Sequence, residues 1–176
     1  MEVESYRAED LFEWVTKEGH NFTLFDVRNN EEFERFKVEG PYLSKMINIP
    51  YIEFIEKEDE SVARVQIPKE ESIRIVCAKE GSAKYVGEIL LKNGWKDVKF
   101  LEKGIKSWGN MLAPKLVTAY KGYRLYQFIR PGKASCSYGL VYEDEMVVFD
   151  RWLTKRLQVR FFFLLLIFCD VYCCFL

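Results

Sequence analysis

Cys77 is the residue best placed to act as a nucleophile. It closes SIRIVCA (72–78), an apolar run with Ile73, Ile75 and Val76 that predicts a strand buried on both faces. The polar KEGSA (79–83) follows as a short loop. A helix comes next, its apolar face made by Tyr85, Val86, Ile89, Leu90 and Leu91 and its end marked by Asn93-Gly94. A cysteine between such a strand and helix lies where the backbone N–H groups of 78–83 converge with the positive end of the helix. Both effects favour the thiolate, the form that attacks. Lys79 and Lys84 add positive charge nearby. On position alone, an inert buried thiol is an equal reading.

The surrounding elements follow from periodicity. SYRAEDLFEWVTKE (5–18) predicts a short helix with Ser5 as N-cap and Leu11, Trp14 and Val15 on one face. FTLFDVR (22–28) predicts a strand ending at Asp26, and NNEEFERF (29–36) a turn and short helix. MINIP (46–50) is a short apolar run stopped by Pro50, and 52–61 reads as a charged helix. VKFLEKG (98–104) predicts a strand and turn, and IKSWGNML (105–112) a last helix. Strands alternating with helices on short connections make 1–112 one α/β domain, a parallel sheet with helices on both faces.

The pattern then changes. Residues 113–124 read as a linker; 125–128, 138–141 and 146–150 read as strands joined by Pro131-Gly132 and Glu143-Asp144 turns. From 151 the chain becomes an apolar tail, with Phe161–Leu176 carrying one charge, Asp170, and three cysteines, Cys169, Cys173 and Cys174.

Composition narrows the function classes. The 176 residues hold 26 Lys and Arg against 27 Asp and Glu, a balance that argues against bulk electrostatic binding of nucleic acid. Only Cys77 and Cys136 precede the tail, which is no disulfide framework. No secretory or transit segment is read at the start, so the expected compartment is a reducing cytoplasm.

Four segments carry a resemblance. LFDVRNNEEF (24–33), INIP (47–50), IVCAKEGSAKYVGEILLKNGW (75–95) and VKFLEKGIKSW (98–108) resemble the rhodanese family in order and spacing. The resemblance implies a sulfurtransferase in which Cys77 carries a sulfane sulfur as a persulfide and hands it to a thiol or other nucleophile. It implies a substrate-binding cradle of Ala78, Lys79, Glu80, Gly81, Ser82 and Ala83, with Lys79 attracting an anionic donor and Ser82 giving a hydrogen bond. Asp26 and Arg28 are expected to support the loop structurally. The implied partners are a small sulfane-sulfur donor and a thiol acceptor, with no cofactor. Many rhodaneses carry an Arg where Ser82 stands, so thiosulfate is expected to be a poor donor beside a persulfide. The missing Arg also weighs against a fold-related phosphatase. Glu80, taken to lie near the mouth, is expected to repel anionic donors.

The loop is similar to those of rhodanese domains fused to metallo-β-lactamase-like domains of the persulfide dioxygenase group. Residues 125–150 resemble the first strands of that second half, with Asp150 ending the strand before its metal motif. The single histidine, His20, lies far upstream and reads as a surface residue, so no metal site and no dioxygenase activity are expected. Cys136 is expected to pack in a strand. The tail reads either as a membrane anchor, for which ~20 apolar residues are usual, or as a frameshifted end; its composition favours the second. It is also an expected surface for self-association. A non-catalytic rhodanese-like binding module and a tail-anchored sulfur carrier are the alternative functions.

Overall fold

The computed structural model describes residues 2–133 and 135–149. The expectations placed on Asp150 and on 151–176 lie outside the described residues. The described residues divide into two units: one up to Ala113 with 130–135, and a second of Pro114–Ile129 with 136–149.

The first unit is built on five parallel strands: β1 (Glu4–Tyr6), β2 (Thr23–Asp26), β3 (Met46–Asn48), β4 (Ile73–Val76) and β5 (Val98–Leu101), in spatial order β1-β5-β4-β2-β3. The helices are α1 (Ala8–Thr16), α2 (Asn30–Arg35), α3 (Tyr51–Glu56), α4 (Glu58–Arg64), α5 (Glu80–Lys92) and α6 (Ile105–Asn110). Successive strand residues point to opposite faces, and two buried clusters result. Phe25, Ile73 and Ile75 pack with Phe54, Val86 and Leu90 on one face. Leu24, Val76 and Leu101 pack with Leu11, Val15 and Trp108 on the other. The expected α/β architecture with both faces covered is therefore present in this unit.

Three boundaries differ from the sequence reading. Ser5 is not an N-cap: it lies in β1, paired with Phe100, and its hydroxyl donates to Glu102 at 2.9 Å. The helix starts three residues later, where Asp10 accepts the Arg7 N–H at 2.9 Å. The stretch 113–124 is not a linker, because Ala113–Tyr120 forms strand β6. Residues 130–135 return to the first unit, where a 3-10 turn (Pro131–Lys133) packs on α6. A Cβ on Gly132 would lie 2.5 Å from the Gly109 Cα, so both positions admit only the closest backbone approach. A Pro-Gly pair reads locally as a hairpin turn, and nothing local reveals the glycine opposite.

The second unit is a four-stranded sheet of β6, β7 (Tyr123–Arg130), β8 (Ser135–Tyr142) and β9 (Glu145–Phe149), in that order, with β8 and β9 antiparallel. Lys121 and Gly122 both have positive φ, +47° and +86°, the signature of a two-residue hairpin between β6 and β7. Cys136 lies in β8, but exposed and not packed. His20 is exposed, as expected, with its ring beside Trp14. No helix among the described residues is long and apolar enough to cross a membrane.

Candidate active site

Cys77 directly follows β4, the central strand, at the carboxyl edge of the sheet where open α/β folds bind ligands. The residue is only 2% exposed. The N–H groups of Ala78 and Lys79 and the hydroxyl of Ser82 lie around its sulfur, and each favours the thiolate. Burial works against them and is the largest effect, so the Cys77 thiol is pushed up from its ordinary value; the Asp26 carboxylate adds a small push in the same direction. Lost hydration outweighs these polar neighbours, and the cradle moderates the rise without reversing it.

The loop is shorter than expected. Lys79 is the N-cap of α5 and the helix begins at Glu80, so Gly81, Ser82 and Ala83 form its first turn. The free N–H groups of that turn and the expected loop amides are therefore the same groups. Cys77, Ala78, Lys79 and Ser82 line one open cleft of about 380 Å3. Glu80, Gly81 and Ala83 do not line it. Ala83 is buried in the core, and Gly81 faces open space. Glu80 is not a guard at the mouth either, since its carboxylate accepts the backbone N–H of Lys103.

The same cleft is lined by residues that sequence reasoning did not assign to the site: Asn29, Glu32, Pro50, Tyr51 and Ile52. They lie just beyond the ends of β2 and β3, within or next to the DVRNNEEF and NIP segments. The signal was that these strand ends share one sheet edge with Cys77. Asn29 caps α2 by accepting the Glu32 N–H at 2.8 Å.

Asp26 and Arg28 meet beside these residues. Their side chains are 1% and 3% exposed, with Arg28 Nη2 2.6 Å from Asp26 Oδ2 and Arg28 Nε 3.0 Å from Oδ1. Arg28 also donates to the Glu32 and Phe36 carbonyls at 3.2 and 2.5 Å, closing the C-terminal end of α2. Asn48 donates to the Asp26 and Arg28 carbonyls at 2.8 and 2.9 Å. The pair thus holds the chain that follows β2, while Arg28 also reaches the cleft lining.

A second turn braces the nucleophile from behind. The N–H of Ile105 donates to the Cys77 carbonyl at 2.8 Å. Gly104, at φ +63°, lies so close that an added Cβ would be 2.6 Å from the Ala78 carbonyl oxygen.

A parallel five-stranded sheet with a lone cysteine cradled at the end of its central strand defines a class of thiol-bearing α/β domains. The chain belongs to the rhodanese-like domain family, whose pattern matches residues 8–111. It is 29% identical over 87 residues to the adenylyltransferase and sulfurtransferase UBA4 of Meyerozyma guilliermondii, covering 48% of this chain and 19% of that protein. The chain thus spans about a fifth of that relative's length. A rhodanese-like domain protein from Staphylococcus aureus superposes with a TM-score of 0.48 at 25% identity, covering 61% of this chain and 92% of that one. The NAD-dependent persulfide reductase of A. fulgidus gives 0.42 at 27% identity, covering 60% and 16%.

Proposed function

We propose that this chain is a sulfurtransferase that works through a persulfide on Cys77. The observation that carries the reading is the convergence of the Ala78 and Lys79 N–H groups and the Ser82 hydroxyl on a sulfur at the floor of an open cleft. The Cys77 thiolate attacks the outer sulfur of a donor R–S–SH. A new S–S bond forms on Cys77 while the donor's S–S bond breaks, and RS⁻ departs with the bonding pair. The proton given up by Cys77 ends on that thiolate. An acceptor thiolate then attacks the outer sulfur of the Cys77 persulfide and returns Cys77 as thiolate. The three donors serve the anionic sulfur at each stage. A cleft of about 380 Å3 suits a small donor. With Ser82 offering a hydroxyl and no guanidinium, a persulfide is the preferred donor over thiosulfate. A relative whose name includes sulfurtransferase supports the assignment. Residues 125–150 open a metallo-β-lactamase-like half in this reading, which the adjacent strands β7, β8 and β9 support.

One feature favours a second reading, a module that binds without chemistry: burial pushes the Cys77 thiol up from its ordinary value. Intact-mass analysis after incubation with a glutathione persulfide donor separates them. The wild-type chain should gain the mass of one sulfur atom, lost again on adding a thiol, and Cys77→Ser should gain none. An unmodified wild-type chain that still binds the donor would establish the binding module instead.

A further inference from the structure

Glu80 opens α5, three residues after the nucleophile, yet its carboxylate turns away from the cleft to accept the N–H of Lys103. Lys103 (φ +58°) and Gly104 (φ +63°) make the turn from β5 into α6. Two consecutive residues at positive φ, one of them not glycine, need outside support. Ser107 gives part of it: its hydroxyl lies 2.8 Å from both the Glu102 and Gly104 carbonyl oxygens and donates its one proton between them. Glu80 gives the rest from across the sheet edge. This is the turn that presses on the Cys77–Ala78 peptide, through the Ile105 N–H and the close approach of Gly104.

We propose that Glu80 is a positioning residue for Cys77: its carboxylate latches the Lys103–Gly104 turn against the Cys77–Ala78 peptide and so fixes the sulfur beneath its hydrogen-bond donors. The inference deepens the sulfurtransferase reading and rests on Cys77 being the reactive residue. The ordinary role of a glutamate in a first helical turn is to complement the positive helix end through its charge. The two roles predict opposite signs. If only charge acted, neutralising Glu80 would remove a repulsion and make the thiolate easier to form. If the latch acts, losing it lets the turn drift and weakens the donors, making the thiolate harder to form.

The test is the pH dependence of Cys77 alkylation by iodoacetamide, a neutral reagent, in the full chain. Glu80→Ala loses the latch and the charge, Glu80→Gln loses only the charge, and Glu80→Asp keeps the charge on an arm one carbon shorter. The latch predicts midpoints displaced upward for E80A and E80D, lowering the thiolate fraction about threefold, half a pH unit. It predicts E80Q close to wild type, because the amide oxygen still accepts. In sulfur transfer, E80A and E80D should lose kcat several-fold with KM little changed. An unchanged midpoint in E80A and E80D, or a downward displacement shared by E80A and E80Q, overturns the proposal. E80D keeps the test decisive if E80A folds poorly by circular dichroism. If no form takes up sulfur, the sulfurtransferase reading fails, while the order of alkylation midpoints still decides the latch.

Discussion

Removing Asp26 by Asp26→Ala should be far more damaging than its lack of catalytic chemistry suggests. The carboxylate is 1% exposed and accepts three hydrogen bonds from the Arg28 side chain and one from the Arg28 N–H. Without it, a guanidinium 3% exposed is left with two carbonyl partners and no counter-charge. Breaking such a buried pair from one side costs roughly 3–5 kcal/mol. Against a total stability of about 5–15 kcal/mol this is a large share. For a unit of this size it corresponds to a fall in Tm of roughly 10–20 °C. Urea unfolding followed by circular dichroism measures it directly. The double variant Asp26→Ala with Arg28→Ala should cost less than the two single variants added together, because no orphan charge remains. A cost for D26A below about 1 kcal/mol, or strictly additive single variants, would refute the buried-pair argument.

Three further outcomes follow from the same structure. Cys77 alkylation should have its midpoint above that of a free thiol, and Ser82→Ala should move it higher still; a midpoint that falls in S82A excludes the hydroxyl as a donor to sulfur. Since the folded thiol holds its proton more tightly than the unfolded one, this group favours the fold below the unfolded pKa. The contribution is lost as pH rises through the folded value. Glu71 is held below the usual carboxylate range by hydrogen bonds from Thr23 and Lys45. Its contribution is present above the unfolded pKa and lost as pH falls through the folded one, so Glu71→Gln should flatten the acid limb of a Tm-against-pH curve. A chain ending at Leu112 keeps all five parallel strands but loses the 130–135 segment packed on α6. It should melt below the chain ending at Phe149, and equal melting temperatures would show that segment to be dispensable.

The central features were legible because they are local. Ile73, Ile75 and Val76 announce a two-sided strand, and a cysteine between that strand and an amphipathic helix is a candidate nucleophile that the resemblance raises above an inert buried thiol. Strand β1 was hidden: in Glu4–Tyr6 only Tyr6 is buried, so no alternation marks it, and Ser5 before an acidic turn imitates an N-cap. The first turn of α5 was taken for loop because Gly81 and Ser82 are weak helix formers, and the helix end is held by tertiary contacts that override them. The tie from Glu80 to Lys103 and the fit of Gly104 against Ala78 join segments far apart in the chain, which no local pattern reports. Burial of the sulfur was legible; that it would outweigh the polar groups around it was not, since their balance depends on how completely water is excluded.

The pairing of β1 with β5 has a consequence for how the chain is made. Glu4 leaves the ribosome long before its partner Lys99, which is among the last residues of the sheet to be synthesised. At about 5–20 residues per second, the leading strand waits several seconds for its neighbour. Cys77 waits as well, because the N–H that holds its carbonyl belongs to Ile105. For that shorter wait, on the order of one to six seconds at the same rate, the nascent chain carries an unshielded thiol, open to any oxidant or electrophile around it. Its chemical vulnerability is therefore greatest before the protein is able to use it.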